Sequence, residues 1–226
     1  MQKLVSITVS VLVAVLIITL SISLPILIRP FYYTQINALK LPQKTGLTYE
    51  EIKLAFDEAM DYCLGLRSEF SAGPLRFSEE GASHFTDVRI LFIINFSLVI
   101  FSAAALIAIA IVTKKKRLSP HRFLGRSPQF WSVAAILSVC VTLGVCCAIN
   151  FRETFVFLHK IFFVGKENYA FDPTTDPIIR ILPNQFFSNC AVFIFVSILV
   201  LSAIVLIFEF LPRKKVSLCL DFCHLF

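Results

Sequence analysis

Ile90–Val112 reads ILFIINFSLVIFSAAALIAIAIV and runs without one charge into Thr113–Arg126, TKKKRLSPHRFLGR. About 20 apolar residues are enough for a helix to cross a bilayer. The basic run that follows, with no acid in it, marks the cytoplasmic end of such a span. One stretch therefore sets both the class of the chain and its orientation. A short basic loop between two spans needs no nucleic acid to account for it, and none is expected as a partner.

Working outward, three more stretches read the same way: Leu4–Ile28, Phe130–Ile149 and Phe186–Leu211, with Glu209 the one charge among them. A membrane barrel shows ten-residue alternating segments instead, so the spans are helical. The first stretch exceeds the 7–15 apolar residues of a signal core and no A-x-A-like site follows, which predicts a retained helix. Composition agrees: of 226 residues 57% are hydrophobic and 16% charged, against roughly 25% charged in soluble domains. A soluble enzyme is excluded. So is a disordered or collagen-like chain, because only 7 residues are Gly.

The sequence predicts an all-α integral membrane protein, four transmembrane helices with an extracellular cap at the outer face. The expected order is a first transmembrane helix over 1–28, the extracellular cap over 29–89 and a second transmembrane helix over 90–112. A basic cytoplasmic loop over 113–129 and a third transmembrane helix over 130–149 come next. An extracellular segment over 150–185, a fourth transmembrane helix over 186–211 and a cytoplasmic tail over 212–226 complete it. Lys3, Arg213, Lys214 and Lys215 add to the basic side, so both termini are expected on the cytoplasmic side of the membrane. The two outer segments exceed the ~12–15 residues of a plain connector, and function is expected there.

Thr48 and Glu51 form a capping-box pattern. It opens a cap helix with Ile52, Phe56, Ala59 and Cys63 on one face, ending around Leu64-Gly65. Phe31-Tyr32-Tyr33 fits an interfacial aromatic belt or the lining of a lipid pocket. Cys63 is the one cysteine of the cap and behaves as a small hydrophobe; Cys219, Cys223 and His224 lack zinc-site spacing. Asn95 and Asn189, about one turn inside their spans, are read first as glue between helices and second as site-lining groups.

Of the four His, the charge pattern leaves His84 and His159 outside, each near a membrane boundary. Imidazole accepts and returns a proton near neutrality. Asp87, three residues on from His84, shares its helix face and orients the ring, caps the helix or pairs with Arg89 or another base. Phe155, Leu158 and Phe162 form one apolar face with His159 beside it. No HExxH, G-x-S-x-G or P-loop pattern is present. The Asp172-Pro173 and Asp176-Pro177 pairs mark an ordered loop.

These residues resemble a known family. Gly46-Leu47-Thr48-Tyr49-Glu50-Glu51-Ile52, Ser83-His84-Phe85-Thr86-Asp87-Val88-Arg89 and Phe157-Leu158-His159-Lys160-Ile161-Phe162-Phe163 are similar to the lipoprotein intramolecular transacylases of Gram-positive bacteria. Asp172-Pro173, Asp176-Pro177 and Leu182-Pro183-Asn184-Gln185-Phe186-Phe187 extend the likeness. Tyr169 stands where the family more often has Trp, and the tail from Val216 has no counterpart.

The resemblance implies transfer of the sn-2 acyl chain of a diacylglyceryl-cysteine lipoprotein to the α-amino group of the same N-terminal Cys. The product is the lyso form, N-acyl and S-monoacylglyceryl. It implies His84 and His159 as the catalytic pair, no cofactor and no metal, with bacterial lipoproteins and membrane lipid as partners. Phe85, Asp87, Arg89, Tyr169, Asp172 and Asn95 are the expected substrate-binding residues; Phe31, Tyr32, Tyr33, Phe162 and Phe163 join Phe85 and Tyr169 as candidate walls of the site. Two alternatives remain: a metal-dependent membrane hydrolase using His84, His159, Asp87 and Glu79 or Glu80, and a non-enzymatic membrane scaffold.

Overall fold

The computed structural model describes residues 2–116, 120–166, 168 and 171–210. Its described residues form nine helices and no strand: α1 (Gln2–Leu27), α2 (Arg29–Ala38), α3 (Leu41–Thr45), α4 (Tyr49–Cys63), α5 (Glu79–Lys115), α6 (Pro128–Ile149), α7 (Phe151–Phe162), α8 (Ile178–Ile181) and α9 (Asn184–Phe210). Four of them, α1, α5, α6 and α9, are long and apolar enough to cross a membrane. Their large side chains, Val11, Ile100, Phe101, Val141 and Ile207 among them, stand exposed, as a lipid solvent permits and water does not.

The breaks between helices have local causes. Pro30 stands in the first turn of α2, where its missing N–H costs nothing. Thr48 Oγ1 accepts from the Glu51 amide at 3.2 Å while the Glu51 carboxylate accepts from the Thr48 amide at 2.8 Å, a reciprocal cap of α4 worth about 1 kcal/mol. The α4 helix stops at Cys63, and Gly65 follows with φ +77°, the left-handed turn that glycine tolerates best. Asn150 accepts from the Glu153 amide at 3.1 Å, which ends α6 and opens α7 as a separate helix.

The chain divides into two compact units. One comprises Met1–Ser21, Leu98–Thr142 and Phe195–Phe226. Serine hydroxyls join its helices: Ser10 donates to the Pro128 carbonyl at 2.8 Å and Ser132 to the Ser10 carbonyl at 2.7 Å. Glu209 is matched by Arg122 at 3.2 Å and by the Ser127 amide, so the single charge of the fourth apolar stretch is neutralised locally. The tail from residue 211, with Cys219, Cys223 and His224, lies outside the described residues.

The other unit, Ile22–Ser97 with Leu143–Ile194, holds the main core. Ile36, Leu41, Ile52, Ala55, Ile178 and Ile181 are buried completely or nearly so. Tyr32 belongs to this core. It stacks on Phe56 at 3.7 Å, meets Phe186 edge-on and donates its hydroxyl to the Ile181 carbonyl at 2.8 Å. Neither the interfacial belt nor a lipid pocket describes Tyr32, because α4 and α8 cover it. Tyr33 instead donates to Asp57, which also meets Arg29 and Lys53. Cys63 is buried, and burial pushes its thiol up to about 12, which makes it inert. Tyr32→Phe deletes the buried bond to Ile181 and is expected to cost about 1–2 kcal/mol, read as a lower unfolding midpoint in detergent.

Candidate active site

His84 lies in α5 ahead of its apolar stretch, and His159 in the last turn of α7. Their rings face each other nearly parallel, 6.2 Å between centroids and 23° between planes. Phe163, at the end of α7, packs 4.8 Å from the His84 ring and 5.5 Å from the His159 ring. Phe171 closes on His84 at 5.2 Å and Phe155 on His159 at 4.1 Å. His84 is only 6% exposed.

The His159 Nδ1 lies 2.9 Å from the Phe155 carbonyl oxygen, one helical turn back. A carbonyl oxygen only accepts, so Nδ1 carries the proton and the neutral ring keeps its lone pair on Nε2. Burial holds His159 below the usual imidazole range, partly offset by that carbonyl, which favours the cation. The buried Nδ1 of His84 has no hydrogen-bond partner.

Asp87 does not hold the His84 ring by a hydrogen bond. Its carboxylate accepts from Lys166 on one oxygen and from Asn168 Nδ2 at 3.0 Å on the other. It thereby ties the segment after α7 to α5. Beside it lies a pocket of about 140 Å³ lined by Asp87, Ile90, Leu91, Phe162, Phe163, Val164 and Lys166. This wall is apolar with one ion pair at its edge. Phe157, Phe162 and Val164 are exposed, giving α7 and its end the character of an interfacial helix.

The other expected residues are spread around this centre. Phe85 is buried, stacked on Phe70 at 4.5 Å and 5.9 Å from Phe171. Arg89 lies over the Tyr62 ring and donates to the Arg67 carbonyl at 3.1 Å. Asn95 donates to Ser23 at 2.8 Å, and Asn189 to Gln35 at 2.7 Å, the helix-joining role in both cases. Asp172 is exposed and caps its own turn through the Thr174 amide at 2.8 Å. Tyr169 lies outside the described residues.

Two residues that support the site were missed by sequence reasoning. Asp176 is buried and accepts from the Ser78 amide at 2.7 Å, Ser78 Oγ at 2.8 Å and Thr175 Oγ1 at 2.8 Å. It thereby fastens the loop that carries Phe171 to the start of α5. Gly81 makes room for it: a Cβ there would stand 2.2 Å from Asp176 Oδ1. The second Asp-Pro pair signalled only a turn. Asn168 was equally silent, since nothing local marks its partner 81 positions away.

Among the described residues no three His, Cys, Asp or Glu side chains cluster closely enough to hold a metal ion. The hydrolase alternative therefore has no ligand set there. Two facing imidazoles with aromatic neighbours, one with a fixed tautomer, carry groups that can accept and return protons.

Four apolar helices long enough to span a bilayer define a multi-pass membrane protein. The family model described as lipoprotein intramolecular transacylase Lit matches residues 7–187, and the chain belongs to that family. Its members are acyltransferases that act on lipoproteins. The membrane-integral Lit of Bacillus cereus, solved in meso, is 26% identical with a TM-score of 0.84, covering 96% of this chain and 98% of that one. A second Bacillus cereus Lit structure, with a histidine-to-arginine substitution, is 25% identical with a TM-score of 0.79, covering 97% and 95%. A third, with histidine replaced by alanine, gives 25% and 0.79 with 96% of each chain covered. No curated protein matches the sequence.

Proposed function

We propose that this chain moves the sn-2 acyl chain of a diacylglyceryl-cysteine lipoprotein onto the α-amino group of the same cysteine at the outer face of a bacterial cell membrane. His84 and His159 carry the reaction. The observation that carries the reading is the facing imidazole pair, 6.2 Å apart within an aromatic enclosure. Family membership and the histidine substitutions made in the relative support it. The basic loop after α5 supports an orientation with both termini in the cytoplasm and 29–89 and 150–185 outside.

The neutral α-amine attacks the sn-2 ester carbonyl, forming the C–N bond. His159 Nε2 takes the proton that the nitrogen sheds. As the C–O bond breaks, the resulting imidazolium returns that proton to the glyceryl oxygen, and the Phe155 carbonyl steadies the cation in between. Amine and ester belong to one molecule, so no enzyme acyl intermediate is required. Holding the two groups together supplies up to ~7–11 kcal/mol of the barrier. The pocket beside Asp87 and Lys166 supports placement of the acyl chain along Phe162 and Phe163.

The test is mass spectrometry of the N-terminal peptide of a reporter lipoprotein expressed with the enzyme. The N-acyl, S-monoacylglyceryl form is expected, and an unaltered diacylglyceryl form beside well-expressed protein overturns the reading.

The pH profile follows from the same groups. The amine, of pKa about 7.7–8.0, must be neutral, so kcat/KM falls about tenfold per unit as pH drops below that range. His159 must also be neutral. Because burial lowers its pKa, a second, steeper limb appears only below the ordinary imidazole range. A steeper limb already in place above that range contradicts a buried base.

A further inference from the structure

The mechanism leaves one half-buried side chain unused. Asn168 donates through Nδ2 to Asp87 Oδ2 at 3.0 Å. A carboxylate only accepts, so the NH₂ end of the amide is fixed toward Asp87 and the Oδ1 end faces away. That Oδ1 is buried without a hydrogen-bond partner, and so is Nδ1 of His84. The two are complementary: an obligate acceptor and a ring nitrogen able to carry a proton. Asn168 also stands among the groups that act on the His84 ring, together with His159, Asp87 and Lys166. A buried polar atom left unmet is destabilising, and one bond between these two removes both penalties.

We propose that Asn168, oriented by Asp87, is a positioning residue that accepts a hydrogen bond from Nδ1–H of His84 and so fixes the tautomer that presents its Nε2 lone pair to the substrate. His84 then matches His159, whose Nδ1–H is held by the Phe155 carbonyl. Both rings offer Nε2 as acceptors, one for each N–H of a primary amine. Asp87 sits one bond network removed from the imidazole, so His84 is oriented without a direct carboxylate partner and stays neutral while it holds the amine. The inference deepens the transacylase reading and rests on it for its kinetic arm only.

The test uses full-length enzyme in nanodiscs with a synthetic diacylglyceryl-cysteine lipopeptide, and ¹⁵N-histidine NMR of the same preparation. Asn168→Ala is expected to move His84 from the Nδ1–H to the Nε2–H tautomer and to lower kcat roughly 10- to 100-fold with little change in KM. The exchange variant Asp87→Asn with Asn168→Asp keeps an amide–carboxylate bond but turns a carboxylate to the ring. It is expected to recover about tenfold over Asn168→Ala. It also shifts the acid limb to higher pH, because a protonated His84 no longer accepts. An unchanged tautomer in Asn168→Ala, or an unchanged kcat, overturns the proposal; so does an exchange variant no better than Asn168→Ala. If wild-type enzyme leaves the lipopeptide untouched, the transacylase reading fails instead, and the tautomer measurement still decides the role of Asn168.

Discussion

His159→Ala is expected to lower lyso-form production by about 10²–10⁴-fold, and His84→Ala by a similar factor, in protein that still inserts and unfolds cooperatively. The size follows from what is removed. Without His159 the ammonium formed on attack loses its acceptor and the glyceryl oxygen its donor, in a site whose imidazoles pack against Phe155, Phe163 and Phe171. Without His84 the amine loses its second anchor. Because the pair acts as a unit, the double variant is expected to be little worse than either single one. Initial rates with a synthetic lipopeptide, read by mass spectrometry, check this. A wild-type rate in either alanine variant removes that histidine from the mechanism.

Gly81→Ala is expected to destabilise the protein by about 2–4 kcal/mol, against the usual sign for this exchange. In an open helix, alanine in place of glycine gains about 0.5–1 kcal/mol. Here the new Cβ meets Asp176 Oδ1 at 2.2 Å and Phe171 at 3.3 Å. Asp176 is held by Ser78 and Thr175 from several sides, so it cannot yield without breaking those bonds. The displaced loop carries Phe171 off the His84 ring, so activity is expected to fall with stability. A lowered unfolding midpoint, together with faster proteolysis within residues 171–177, is the expected pattern. A midpoint at or above wild type contradicts the fastening role of Asp176.

The parts of the fold legible in the sequence are those written locally. Uncharged apolar stretches give the spanning helices, and Thr48 with Glu51 gives the start of α4, because a cap is a three-residue affair. The histidines were visible as residue types at one membrane level, and the family resemblance supplied the pairing. Helical spacing put Asp87 beside His84 and left an ion pair with a base open; that the base is Lys166, joined by Asn168, 79 and 81 positions away, no local pattern shows. The same holds for Ser78 with Asp176, 98 positions apart. Tyr32 was misjudged for a related reason: an aromatic after a span looks interfacial until another helix is known to cover it. Long-range polar partners leave no periodic trace, and here they position the site.

The aromatic enclosure also bears on what the enzyme does not release. An ester in a lipid-facing site has two nucleophiles available, the tethered amine and water, and attack by water would free a fatty acid and leave an S-monoacylglyceryl cysteine with its α-amine unacylated. Phe155, Phe163 and Phe171 crowd the imidazoles that would activate either one. On the proposed chemistry, the base serves only a nucleophile delivered by the substrate itself, and the same rings that dry the site hold fatty-acid leakage low.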